Sequence, residues 1–158
     1  MTEDGPRRPQ MSAAQVGREF VAHPDWRWRA GMKVWLGGGF VLCDSDSGPD
    51  AELRLMLNGA NSPEFYQGDV RALYPDVTHR GTLGLIEERV GDLVPGGVWY
   101  GVDVTVRRNT EAPLFVARAS LVGEVLHERK GYTRGEALLH LLYHVRPLED
   151  ARLGGARR

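Results

Sequence analysis

The sequence predicts an α+β fold: a helix and a small antiparallel β-meander, then a helix, a three-stranded antiparallel sheet and a final helix. Three observations predict it. Apolar residues recur at helical spacing in three segments, they alternate with polar residues in the runs between those segments, and glycines separate several of these runs. The length of 158 residues, with 42% hydrophobic and 26% charged residues, is typical of one globular domain.

The first helix is predicted over residues 13–22. Ser12 and Gln15 form a capping box, and Met11 and Val16 occupy the two positions of a hydrophobic staple. A proline follows shortly after and stops the helix.

An antiparallel meander is predicted next. Residues 32–36 and 40–44 alternate around a triple-glycine turn, and residues 51–57 place three leucines on one face. Residues 69–73 are a further candidate strand, and residues 74–76 predict a turn into the second helix.

The second half has the stronger local signals. A helix capped near Asp76 or Thr78 is predicted from four apolar residues spaced three, four and three apart: Leu83, Ile86, Val90 and Leu93. Strands follow at 98–107, 114–122 and 124–129. The final helix begins at a capping box of Thr133 and Glu136 and stops before Pro147.

These elements divide the chain into four predicted parts. Residues 1–10 are a disordered leader, 11–74 a helix-plus-meander subdomain, 75–148 an α-β-β-β-α subdomain, and 149–158 a flexible Gly/Arg tail. The two subdomains are either separate or share one core.

Composition narrows the function classes. The net charge of -1 gives no broad electrostatic footprint for nucleic acid. Cys43 is the only cysteine, which excludes an internal disulfide and a cysteine-based metal site. No apolar run approaches the ~18 residues of a membrane span. We therefore expect a cytoplasmic protein with no cofactor and no membrane partner.

Two segments resemble a known group of sequences. Residues 20–32 read F-V-A-H-P-D-W-R-W-R-A-G-M, and residues 75–84 contain P-D-V-T and T-L-G. They resemble the H-P-x-[FW]-x-W-x-x-G-M and P-D-L-T-D-P-A-T-L-G segments of small uncharacterised proteins from tailed phages and prophages. Residues 133–138 resemble the T-E-A-E-A-L start of their last helix. Here His79-Arg80-Gly81 replaces D-P-A. The resemblance implies a phage or prophage setting in a bacterial host and says nothing about chemistry.

The most distinctive segment holds three of the four tryptophans, Trp26, Trp28 and Trp35. Trp and Arg are enriched at binding hot spots, which makes Trp26, Arg27 and Arg29 the candidate partner-binding residues. The structural alternative is that Trp28 and Trp35 cover the meander while the arginines face solvent. The leading hypothesis is a non-enzymatic protein that binds a host factor, a phage component or a second copy of itself.

Two other functions remain open. The α-β-β-β-α order is that of double-stranded-RNA-binding domains, and Arg129, Lys130 and Arg134 lie near the start of the last helix, where such domains grip phosphates. Separately, Glu136, His140 and His144 are spaced four residues apart on one helix face, predicted to be polar, and could hold a metal for hydrolysis. No nucleophile motif accompanies them, so an enzyme is the less favoured class.

Overall fold

A computed structural model describes residues 10–44, 46–47, 52–56, 64–95, 101–107 and 114–148, and in this part of the chain helices and antiparallel sheets combine as an α+β fold. The helices are α1 (Ala13–Ala22), α2 (Arg80–Leu93) and α3 (Arg134–Val145). The strands are β1 (Lys33–Leu36), β2 (Gly39–Leu42), β3 (Arg54–Leu55), β4 (Glu64–Phe65), β5 (Tyr74–Pro75), β6 (Gly101–Arg107), β7 (Leu114–Leu121) and β8 (Glu124–Gly131). Almost all of the predicted leader and the whole predicted tail lie outside the described residues, as do residues 98–100.

Helix α1 has the predicted bounds and cap. The Ser12 hydroxyl accepts from the Gln15 amide at 3.1 Å, and the Gln15 side chain accepts from the Ser12 amide at 3.2 Å. Gly17 lies against β5, where an added Cβ would be 2.7 Å from the carbonyl oxygen of Pro75. The missing side chain therefore lets the helix pack closely on the edge of the first sheet.

The first sheet has the strand order β2-β1-β5. The predicted hairpin is confirmed: Gly37 and Gly38 take φ angles of +59° and +90°, which suit a tight turn between twisted strands. The third strand was not foreseen, because residues 74 and 75 were predicted as a turn. Instead, Tyr74 pairs with Trp35 and Pro75 with Val34.

The leucine-rich run predicted at 51–57 is a strand only at Arg54–Leu55 among its described residues, and it pairs with β4 in a separate two-stranded sheet. An isolated bridge between Cys43 and Leu55 connects it to the end of β2. The strand predicted at 69–73 is wrong. Residues Val70–Ala72 form a 3-10 turn because the Asp69 carboxylate accepts from the Arg71 amide and favours a tight turn over an extended chain.

The predicted cap of α2 is also wrong. The Asp76 carboxylate accepts from the Thr78 amide in a local turn, and His79 caps the helix by accepting from the Thr82 amide at 3.2 Å. The Thr82 hydroxyl, fully buried, accepts from the Lys33 amide at 3.0 Å. This hydrogen bond attaches the start of α2 to β1.

The second sheet has the order β6-β7-β8 and carries α2 and α3 on one face, confirming the predicted α-β-β-β-α order. Gly131, at the end of β8, is where α3 approaches the sheet: an added Cβ would be 2.5 Å from the Ala137 amide nitrogen. A single buried cluster contains side chains from both predicted halves, among them Phe20, Trp28, Val34, Ile86, Leu138 and Leu141. Among the described helices, none is long and apolar enough to cross a membrane.

Candidate binding surface on the first sheet

Three aromatic residues lie side by side across the first sheet. Trp35 is the register partner of Phe40 on β2 and of Tyr74 on β5. The side chain of Val34, the residue before Trp35 on β1, points into the core and is fully buried. Because side chains alternate along a strand, the aromatic row occupies the opposite, outer side of the sheet.

The row continues into an exposed leucine. The ring centroids of Trp35 and Phe40 are 3.7 Å apart, and those of Trp35 and Tyr74 are 6.4 Å apart. Phe40 and Leu42 remain 41% and 45% exposed. We call the outer surface formed by Trp35, Phe40, Leu42 and Tyr74 the aromatic face. Large apolar side chains that stay exposed as a group are typical of interaction sites.

An open cleft of about 340 Å³ adjoins the aromatic face. It is lined by aromatic rings, aliphatic side chains and the glycine turn: Trp35, Tyr66, Tyr74, Leu36, Leu73, Ala72, Gly37 and Gly38. Nothing lies within 4 Å of the position of an added Cβ at Gly37 or Gly38, so the turn leaves this side of the cleft open. The cleft is at the lower end of the ~300–1,000 Å³ range of ligand pockets.

Two cations lie over rings at opposite ends of the row. The Arg18 guanidinium is 4.7 Å from the centroid of Tyr74, and the Lys33 ammonium is 5.6 Å from the centroid of Phe40. Ring faces carry partial negative charge, which holds each cation in place. Within the described residues, neither cation has a carboxylate within ion-pair distance. The surface thus combines apolar contact area with positive charge that no carboxylate in the described part of the chain neutralises.

The predicted partner-binding tryptophan is in the core instead. Trp26 is 2% exposed, and its ring packs against Trp28 at 5.3 Å and Phe20 at 5.8 Å. The expectation that Trp26 faces a partner is therefore wrong. The cause is the turn after α1, where the Trp26 amide donates to the carbonyl of His23 at 3.0 Å and brings the ring back over the helix.

His23 anchors that turn. Its ring is 1% exposed, accepts from the Asp25 amide at 3.0 Å through Nδ1, and donates to the Arg146 carbonyl at 2.9 Å through Nε2. Arg27 is exposed as predicted, and Arg29 is partly exposed and 3.6 Å from the Asp46 carboxylate. A binding role for these two arginines stays a prediction.

The candidate nucleic-acid residues do not share one surface. Alternation along β8 places Arg129 and Lys130 on opposite sides of the sheet. Arg129 lies against α3, where it donates to Nδ1 of His144 at 2.7 Å. Arg134 lies over the ring of Phe115 and donates to the Val104 carbonyl at 3.2 Å. The structure therefore brings no continuous basic groove together from these three residues.

The candidate metal residues do not form one ligand set either. The expectation of a polar helix face is wrong at Glu136, which is 5% exposed because the first turn of α3 packs against the end of β8. His140 is 4.0 Å from that carboxylate through Nε2, and its Nδ1 donates to the Lys130 carbonyl at 2.7 Å. Among the residues that the structure describes, no three His, Cys, Asp or Glu side chains are placed to hold a metal.

His144 takes part in a different contact. Because Arg129 donates to its Nδ1, the neutral ring carries its proton on Nε2, which lies 3.1 Å from Nδ1 of His127. Burial lowers the pKa of His144, and the Arg129 and His127 charges lower it further. The lowered pKa favours the neutral ring, and the Arg129 cation beside it disfavours a metal ion at this position.

Sequence reasoning missed most of the aromatic face. From the sequence, Trp35 is expected only to cover the meander, and Phe40, Leu42 and Tyr74 are not among the candidate binding residues. One signal was present: a two-residue Gly37-Gly38 turn pairs Trp35 with Phe40. No local signal assigns Tyr74 to the same sheet.

Comparison of this chain with family models, with curated proteins and with solved structures finds no match. The evidence for a binding surface therefore comes from the geometry of this chain.

Proposed function

We propose that this chain is a non-enzymatic accessory protein of phage or prophage origin that binds a protein partner on its aromatic face. The origin is supported by the resemblance of residues 20–32 and 75–84 to phage proteins. Binding is supported by one observation above all: Phe40, Trp35 and Tyr74 lie in register across three strands on the outer side of a sheet. Aromatic residues are enriched in the centres of protein interfaces, where Lys and Glu are depleted.

The exposed fractions of Phe40 and Leu42 indicate how much free energy is gained when a partner covers them. Full burial of a Leu or Phe side chain is worth ~1.5–3 kcal/mol. Phe40 and Leu42 are 41% and 45% exposed in the free chain, so each contributes roughly 1 kcal/mol of binding free energy when a partner covers it. Truncation of either one should weaken binding about fivefold, and more if the position is a hot spot.

Other functions have less support. The nucleic-acid alternative retains the α-β-β-β-α order, which is a likeness of fold alone, while its basic residues point in different directions. The metal-assisted hydrolase lacks a described set of three ligands. Binding of a protein partner requires only the exposed aromatic face.

The experiment is affinity capture from bacterial host lysate with three baits: the wild-type chain, Leu42→Ala and Leu126→Ala. The two leucines are a matched pair because they are 45% and 44% exposed, and Leu126 lies on β8 of the other sheet. Circular dichroism and thermal melting confirm that each bait is folded.

We expect a protein recovered with the wild type and with Leu126→Ala to be lost or depleted with Leu42→Ala. If capture survives Leu42→Ala and a second variant, Phe40→Ala, the aromatic face is not the binding surface. Capture that depends on Leu126 would move the proposed interface to the second sheet.

A further inference from the structure

We propose that the aromatic face takes an extended protein segment in which acidic residues flank apolar or aromatic ones. This inference rests on the proposed function and adds the chemistry of the partner. It is carried by the two cations at the ends of the aromatic row.

Each cation lies over one of the two outer rings of the row. Arg18 lies over Tyr74 on β5, Lys33 lies over Phe40 on β2, and Trp35 stands between those rings. A charged group held against a ring has fewer conformations to lose when a partner binds, so less entropy opposes binding. Both positive charges are thus in place before the partner arrives.

The charge of the partner follows from what surrounds these cations. No described carboxylate pairs with Arg18 or Lys33, so an incoming carboxylate forms a charge-assisted hydrogen bond without breaking an existing ion pair. A basic segment meets two like charges instead. An uncharged segment gains only the ring contacts.

The length of the row fits a few extended residues. The centroid distances of 3.7 and 6.4 Å make it no longer than roughly 10 Å, and an extended chain rises ~3.3 Å per residue. About three apolar residues therefore cross the rings, with acidic residues close to Phe40 and Tyr74, over which the two cations lie. The cleft beside Trp35 and Tyr74 accepts one of the apolar side chains.

A protein segment fits this surface better than a single-stranded nucleic acid. Nucleic acids also stack bases on aromatic rings, but their affinity depends on many phosphate contacts, and this surface offers two cations on a chain of net charge -1. Leu42 beside the rings and Leu36 and Leu73 in the cleft suit aliphatic side chains.

The test is selection of a library of random short peptides against the full-length wild-type chain, followed by affinity measurement by fluorescence anisotropy. Arg18→Gln and Lys33→Gln remove the charges and leave every ring, and Lys130→Gln, an exposed lysine on β8, is the matched control. Oligothymidylate is measured alongside the peptides.

We expect selected peptides to be rich in Asp and Glu beside Trp, Phe or Leu, and to lose binding with Leu42→Ala. Their affinity should fall by up to about fivefold with Arg18→Gln or Lys33→Gln, as the loss of a solvent-accessible ion pair predicts, and stay unchanged with Lys130→Gln. Substituting Ser for the acidic residues of a peptide should produce the same fall.

Four results would overturn the inference: selected peptides that are neutral or basic, affinities unmoved by both charge variants, failure to select any peptide that depends on Leu42, or tighter binding of oligothymidylate. Concentration-dependent self-association lost with Leu42→Ala would make a second copy the occupant. Charge-independent binding that still needs Leu42 would refute the acidic partner and leave the proposed function standing.

Discussion

The chain at Gly131 of β8 lies very close to the first turn of α3, and Gly131→Ala tests this contact directly. The added Cβ would be 2.5 Å from the Ala137 amide nitrogen and 2.8 Å from the carbonyl carbon of Glu136. Ordinary van der Waals contact begins at 3.4 Å, so the strand and the helix must separate by about 0.9 Å. Both atoms belong to the backbone, so no side-chain rotation relieves the clash.

The loss of stability expected for Gly131→Ala depends on the buried side chains that move with α3. Leu138 and Leu141 of α3 are fully buried, and displacing them loosens the shared core. Overpacking of this kind costs ~1–3 kcal/mol. For a chain of this length each kcal/mol shifts Tm by ~2–4 °C, so Gly131→Ala should lower Tm by about 2–12 °C.

Gly84→Ala is the matched control. Gly84 lies within α2 with nothing within 4 Å of an added Cβ, and alanine is the better helix former by ~1 kcal/mol. Differential scanning calorimetry should show a lower Tm for Gly131→Ala and a Tm raised by a few degrees for Gly84→Ala. An unchanged or higher Tm for Gly131→Ala, with Gly84→Ala behaving as expected, would refute the close packing of α3 on β8.

Two further predictions concern stability. Trp28→Ala removes a fully buried ring and should lower the free energy of unfolding, measured in urea, by ~3–5 kcal/mol. Trp35→Ala, at a partly exposed position, should lower it less. The reverse order would contradict the assignment of Trp28 to the core and Trp35 to the surface. The pKa of His144 is lower in the folded chain than in the unfolded chain. Below about pH 6.5 the unfolded chain therefore binds more protons, and the free energy of unfolding decreases as the pH falls through that region. The urea midpoint should therefore drop less between pH 7 and about pH 5.5 in His144→Gln than in the wild type, and equal drops would contradict the shift.

Local signals were sufficient for the helices and for the second sheet. The capping box at Ser12 and the apolar spacing in α2 predicted helices that the structure contains, although the cap of α2 is His79. The sequences of β6 and β7 alternate between apolar and other residues, and β8 follows β7 after a turn at Gly123, so each strand pairs with its neighbour in the chain. The capping signal at Thr133 likewise places α3, where its hydroxyl accepts from the Glu136 amide.

The sequence could not place residues that depend on distant partners. Tyr74 and Pro75 have a turn-like composition, and only pairing with β1, some forty residues earlier, makes them a strand. Asp69 favoured a tight turn through its own side chain, which the apolar pattern of residues 69–73 does not reveal. The burial of Glu136 similarly depends on how closely α3 meets β8.

By itself, the sequence determined the α+β class, the three helices and the order of the second sheet, because capping and alternation are properties of neighbouring residues. Tertiary structure alone decided which aromatic residues are buried. Trp26 and Trp28 entered the core through the His23 turn and the contact with Phe20, while Trp35 stayed at the surface beside Phe40 and Tyr74. Alternation states which side chains share a face, but only the packing of the rest of the chain determines which face is covered.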